Sequence, residues 1–138
     1  MSFQEDFLLQ LRADLAQLLG LPAAAIYAGR DPQKVTRVGF EVWVKSMPVE
    51  PQGQVKVHAF EVHVRLRSRR EESQTGASQL RAVQLTLDDL CDRFDGTRPF
   101  VTAVPALVAV QAEVGNLDAD PEEPDLLDGT LTLRVVER

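Results

Sequence analysis

Leu8, Leu11, Leu15 and Leu18 recur at three- and four-residue spacing, with Phe7 and Leu19 at the edges of the stripe. That period lays side chains along one face of a helix. Ser2 and Glu5 have the spacing of a capping box, and Gly20 followed by Pro22 suits a left-handed turn that cannot continue. A helix is predicted over Phe3–Leu19. Residues 23–29 are ambiguous: three alanines favour helix, Ile26-Tyr27 before Gly29 favours a short strand, and Asp31-Pro32 marks a turn. Over 37–45 the period becomes two. Val38, Phe40, Val42 and Val44 share one face; Arg37, Gly39, Glu41, Trp43 and Lys45 share the other. Pro48, Pro51 and Gly53 break the chain before a second strand over 54–67. Its apolar phase is odd at Val55 and Val57, then even at Phe60, Val62, Val64 and Leu66, which predicts a β-bulge near Ala59.

A second helix is predicted over 77–94, where Leu80, Val83, Leu87, Leu90 and Phe94 repeat with Cys91 beside them, and Asp95-Gly96 ends it. Val104, Val108, Val110, Ala112 and Val114 then share a face, and Pro105 near their start marks an edge or bulged strand. Residues 116–128 read as an acidic loop. Residues 129–137 read as a last strand, with Leu131, Leu133 and Val135 opposite Thr130, Thr132 and Arg134. The order α-β-β-α-β-β, with an extra short strand possible near Ile26, predicts an α+β fold. One domain would span 1–138: a mainly antiparallel sheet of four or five strands, covered on one face by two amphipathic helices.

Composition sharpens this. A chain of 138 residues can bury about 68–70% of its unfolded surface without disulfides or metals. The net charge of −6 argues against a general binder of nucleic acid or anionic membrane. The six acids of 116–128 equal the whole excess of acid over base. Cys91 is the only cysteine, so no intrachain disulfide can form. No run of 18 apolar residues occurs and the N-terminus lacks a basic leader, so a cytoplasmic, non-membrane protein is expected.

Candidate chemistry is sparse. His58 and His63 lie five residues apart without a third ligand and read as half-exposed strand residues. Cys91 reads as a small apolar thiol whose neighbours Asp88, Asp89 and Asp92 would raise its pKa, against a nucleophilic role. Asp118-x-Asp120-x-Glu122 starts like a calcium loop, but Pro121 interrupts it, Glu123 replaces the glycine and Gly129 stands where a glutamate is needed. No catalytic residue, metal or cofactor is expected, and the chain is not read as an enzyme. The acids Asp118, Asp120, Glu122, Glu123 and Asp125 form either a solvated loop or a protein-contact surface. Arg65, Arg67, Arg69 and Arg70 form the one basic cluster, either a solvated edge or a contact for an acidic surface. Trp43 belongs to a second packed face or an interface. Asp88, Asp89, Asp92 and Asp95 oppose the helix macrodipole; either Arg93 and Arg98 compensate or a negative surface is wanted.

Several stretches together resemble the tail terminator (tail completion) proteins of long-tailed bacteriophages and prophages. They are Leu19-Gly20-Leu21-Pro22 with Ile26-Tyr27-Ala28-Gly29, the strand 57–66 followed by the helix 80–94, and the acidic hairpin closing on Gly129-Thr130-Leu131-Thr132-Leu133-Arg134-Val135. The resemblance lies in element order and spans nearly the whole chain; no signature residue carries over. It implies a structural virion protein at the tail–neck junction, assembled in the host cytoplasm. Such a subunit forms a ring, typically a hexamer, on the tail tube protein, stops tube growth and meets the head-completion or connector protein. DNA would pass a negative channel without sticking. Arg65–Arg70 and the loop acids would then pair between subunits or with the tube, Trp43 would join that interface, and Asp88, Asp89, Asp92 and Asp95 would face the lumen. The alternatives are another neck or head-closure component, or a small immunity-type binding module using the acidic loop.

Overall fold

The computed structural model describes residues 3–29, 38–45, 50–52, 55–96 and 107–137. Its elements are α1 (Phe3–Leu19), a 3-10 turn (Ala23–Ala25), β1 (Tyr27–Gly29), β2 (Gly39–Lys45), β3 (Glu50–Gln52), β4 (Val55–Arg69), α2 (Gly76–Phe94), β5 (Leu107–Ala119) and β6 (Leu126–Glu137). The strands run in the order β1-β2-β4-β6-β5, with β3 paired to β4. Among the described residues only β1–β2 is parallel; the other pairs are antiparallel. The fold is α+β, as the pattern predicts.

Both helices pack on one face. Phe7, Leu8, Leu11 and Leu15 of α1 and Val83, Leu87, Leu90 and Phe94 of α2 share a core with Phe40, Val42, Phe60, Val62, Val64, Leu131, Leu133 and Val135 of the sheet. Phe7 and Phe60 meet edge to face, with ring centroids 5.8 Å apart, an arrangement worth about 0.5–1.5 kcal/mol beyond area burial. Leu18 and Leu80, placed in the apolar stripes by their spacing, are exposed instead. On α2 the buried position belongs to Gln79.

The helix ends follow local chemistry. Gly20 has φ +66°, and the Leu21 N–H donates to Ala16 O at 2.9 Å, the six-residue closure of a Schellman turn. The capping residue Ser2 lies outside the described residues. Helix α2 starts at a capping box: Thr75 Oγ1 accepts from the Ser78 N–H, and Ser78 Oγ accepts from the Thr75 N–H. Gly129 lets α2 approach the sheet. A Cβ there would meet Leu87 Cδ1 at 2.4 Å and Leu117 Cδ2 at 2.7 Å.

Two open alternatives resolve here, and two further expectations change. Residues 23–29 form both a 3-10 turn and a strand. No bulge forms near Ala59: pairing with β6 runs unbroken from His58 to Arg69. The phase change instead marks a change of partner, since Val55–Val57 pairs with β3. Among the described strands β5 is both an edge and bulged, with register shifts between Leu107 and Ala109 and between Val114 and Leu117. The acidic loop shrinks to 120–125, because Leu117, Asp118 and Ala119 pair with Gly129, Asp128 and Leu127. Residues Arg37, Pro48, Gly53, Arg98, Val104 and Pro105 lie outside the described set.

Candidate functional site

Alternation along β4 places Arg65, Arg67 and Arg69 on the face opposite α1 and α2, and the β4–β6 register sets Asp128 directly opposite Arg67. Arg67 is 4% exposed. Its Nε donates to Asp128 Oδ1 at 2.7 Å and its Nη2 to Asp128 Oδ2 at 2.6 Å, while Nη2 also reaches Asp120 Oδ2 at 3.3 Å. This two-pronged geometry is the strong form of an arginine–carboxylate contact. The Asp128 hydrogen bond raises the Arg67 pKa against the opposing effect of burial.

The turn that follows β5 is tied down from several sides. Asp120 Oδ1 accepts from the Glu122 N–H at 2.9 Å and the Glu123 N–H at 3.2 Å. Those two bonds, with a smaller contribution from Arg67, hold the Asp120 carboxyl below the ordinary aspartate value. Arg69 pairs with Asp125 at 2.8 Å and Glu123 at 3.7 Å, all three exposed or half-exposed. The Arg70 N–H donates to Asp125 O at 2.8 Å, and its Nη2 to Pro124 O at 3.3 Å. Gln79 on α2 is buried, and its Nε2 donates to Ser68 O at 3.0 Å and Asp125 O at 2.9 Å. One side chain thus joins α2, the end of β4 and the turn. Farther along the sheet, Arg65 pairs at 2.6 Å with Glu41, its cross-strand neighbour, which is 2% exposed.

Arg67 and Arg69 and the acids Asp120, Glu123 and Asp125, which the resemblance would pair between subunits or with the tube, thus meet within one chain. Asp118 and Glu122 are exposed and make no ion pair among the described residues. Trp43 stands opposite His63 in the β2–β4 register; its side chain is outside the described set. Among the α2 acids, Asp88, Asp89 and Asp92 are exposed and unpaired with any base among the described residues, Arg93 included. Asp95 is different: its Oδ1 accepts from the Ala112 N–H at 2.9 Å.

The Cys91 thiol is pushed up, first by burial and then by Asp92, Asp95 and Asp88, as its neighbours suggest. His63 Nε2 lies 3.4 Å from Glu61. No group of three or more metal-ligating side chains converges among the described residues, and none of their helices is long and apolar enough to cross a membrane. Glu41, Gln79 and Asp128 are structural partners that spacing alone does not reveal. Alternation along β4 hints at a row of charges, but the partner is set by strand register.

No family model and no curated protein matches the chain. Among solved structures, it is similar to a chain described as "Virion of native gene transfer agent (GTA) particle". The two are 22% identical with a TM-score of 0.40, covering 94% of this chain and 90% of that one. An overlap at that level leaves the role to be argued from this chain's own residues.

Proposed function

We propose that this chain is a structural virion-assembly subunit that caps a tail tube, ends its polymerisation and forms the head–tail joining surface as a ring. The supporting observation is the unpaired acid on α2. Asp88, Asp89 and Asp92 form an exposed negative strip with no base beside it among the described residues. Asp92, in the last turn, opposes the helix dipole, and the strip has no base beside it among the described residues to offset it, so it needs a reason other than stability. A channel wall that repels the phosphates of passing DNA supplies one. The resemblance of the element order to that of tail terminators supports the same reading. In this reading the exposed groups Arg69, Arg70, Glu122, Glu123 and Asp125, with Trp43, are the contact surface toward a neighbouring subunit, the tube or the head-completion protein. Arg67 holds that surface in shape.

A module that presents the acidic turn to a basic partner is the weaker reading. Asp120, Asp125 and Asp128 are already engaged by arginines of the same chain.

The test is tube growth. Tail tube protein is polymerised with and without the chain and imaged by electron microscopy. Shortened tubes ending in a ring of this chain are expected. Tubes of unchanged length and unmodified ends would reject the capping role, and binding only to a connector ring would assign the chain to another part of the neck.

A further inference from the structure

Among the described strands β5 closes one side of the sheet, and its outward hydrogen-bonding groups from Val110 to Ala112 are taken in succession by the end of α2 and the residues just after it. Val110 exchanges both bonds with Gly96: the Gly96 N–H donates to Val110 O at 2.9 Å, and the Val110 N–H to Gly96 O at 2.8 Å. Two residues on, the Ala112 N–H donates to Asp95 Oδ1 at 2.9 Å, and Ala112 O accepts from Cys91 Sγ at 3.4 Å. Beyond Val114 the ladder shifts register before Leu117, and such a bulge bends an edge away from further pairing. Gly96 has φ +131°, a backbone that L side chains rarely adopt. It lets the chain leave the helix and run beside β5.

An open edge strand offers its N–H and C=O groups to any other strand, and a strand of an identical chain is always at hand in solution. Asp95, at the end of α2, gains nothing from the helix dipole; its partner is the Ala112 amide instead. The Cys91 thiol likewise donates to the Ala112 carbonyl.

We propose that the last turn of α2 is a lock on the β5 edge, in which Asp95, Gly96 and Cys91 stand in for a neighbouring strand and keep a strand of a second copy of this chain from adding there. Opening the lock exposes a docking edge at Val110–Val114. The inference needs only the helix end and the edge, and stands apart from the tail-capping role.

The test compares the full chain with Asp95→Ala, Asp95→Asn and Gly96→Pro. Two quantities are followed: amide hydrogen exchange at Val110, Ala112 and Val114, and self-association by sedimentation over a range of concentrations. In dilute Asp95→Ala, Ala112 exchange is expected to rise roughly tenfold, the scale of one lost hydrogen bond. As concentration increases, the three amides regain protection and the association constant exceeds that of the parent chain by a similar factor. Asn keeps the accepting oxygen, so Asp95→Asn stays near the parent in both. Gly96→Pro removes the donor to Val110 O and opens the same edge from the other end; circular dichroism checks that it folds, and if it does not, the Asp95 pair decides. Unchanged Ala112 exchange in Asp95→Ala overturns the lock. So does faster exchange without concentration-dependent protection, or an Asn variant that behaves like the Ala variant.

Discussion

Around the β5–β6 turn, Asp120, Glu123, Asp125 and Asp128 each lie within ion-pair distance of Arg67 or Arg69. On α2, Asp88, Asp89 and Asp92 stand exposed with no base beside them among the described residues. The two regions are similarly acidic in sequence and differ in what the fold brings next to them. The hairpin register delivers the turn to the arginine-bearing end of β4, whereas the outer face of α2 looks away from the sheet. In the first region carboxylates are used to build; in the second they are left to act on whatever lies outside.

The strongest way to break this contrast is Arg67→Ala. It leaves Asp128 and Asp120 close together without their shared cation. Removing one partner of a buried ion pair costs about 3–5 kcal/mol, and the part-exposure of Asp128 moves the expected loss to roughly 2–4 kcal/mol, read by urea unfolding. Asp120 gives a second readout. Its folded-state pKa lies below its unfolded one, so its contribution is present above the unfolded value and is lost as pH falls through the folded value. In Arg67→Ala its titration, followed by carboxyl NMR, moves up only part of the way, because the Glu122 and Glu123 N–H bonds remain.

Gln79→Ala comes next. It strips a donor from two carbonyls, Ser68 O and Asp125 O, and the expected loss is about 1–2 kcal/mol, with faster amide exchange in the turn. Arg69→Ala should cost under about 1 kcal/mol and nothing at high salt, because its pairs are exposed. A loss as large as that of Arg67→Ala would mean that the exposed and buried pairs are not distinct. Smallest is Asp92→Asn, which removes a charge opposing the α2 dipole and should raise stability by a few tenths of a kcal/mol in thermal unfolding. A clear loss there would reveal a partner and erase the contrast.

Much of the fold is legible in the residues. Period and punctuation give both helices, including the Gly20 turn, because those signals are local. The strands are found, but not their ends. The acidic run 116–128 reads as loop because polar residues pair with polar residues on the sheet face opposite α1 and α2, as Asp118 does opposite Asp128. The phase change in β4 looks like a bulge and is a change of partner, a distinction set by pairing rather than by pattern. The site divides the same way. The arginine row and both acidic sets are visible in sequence, yet which acid meets which arginine depends on register across 61 residues, as with Arg67 and Asp128. Gln79 gives no signal at all: a polar residue at a helix position that apolar spacing assigns to Leu80.

The measurement that bears most directly on the contrast is a double-mutant cycle of Arg67→Ala and Asp128→Ala, scored by equilibrium unfolding. A coupling of roughly 2 kcal/mol is expected if the turn's carboxylates are committed to its own architecture. A coupling below about 0.5 kcal/mol, the level of independent sites, would contradict it and return those acids to the solvent-facing class of α2.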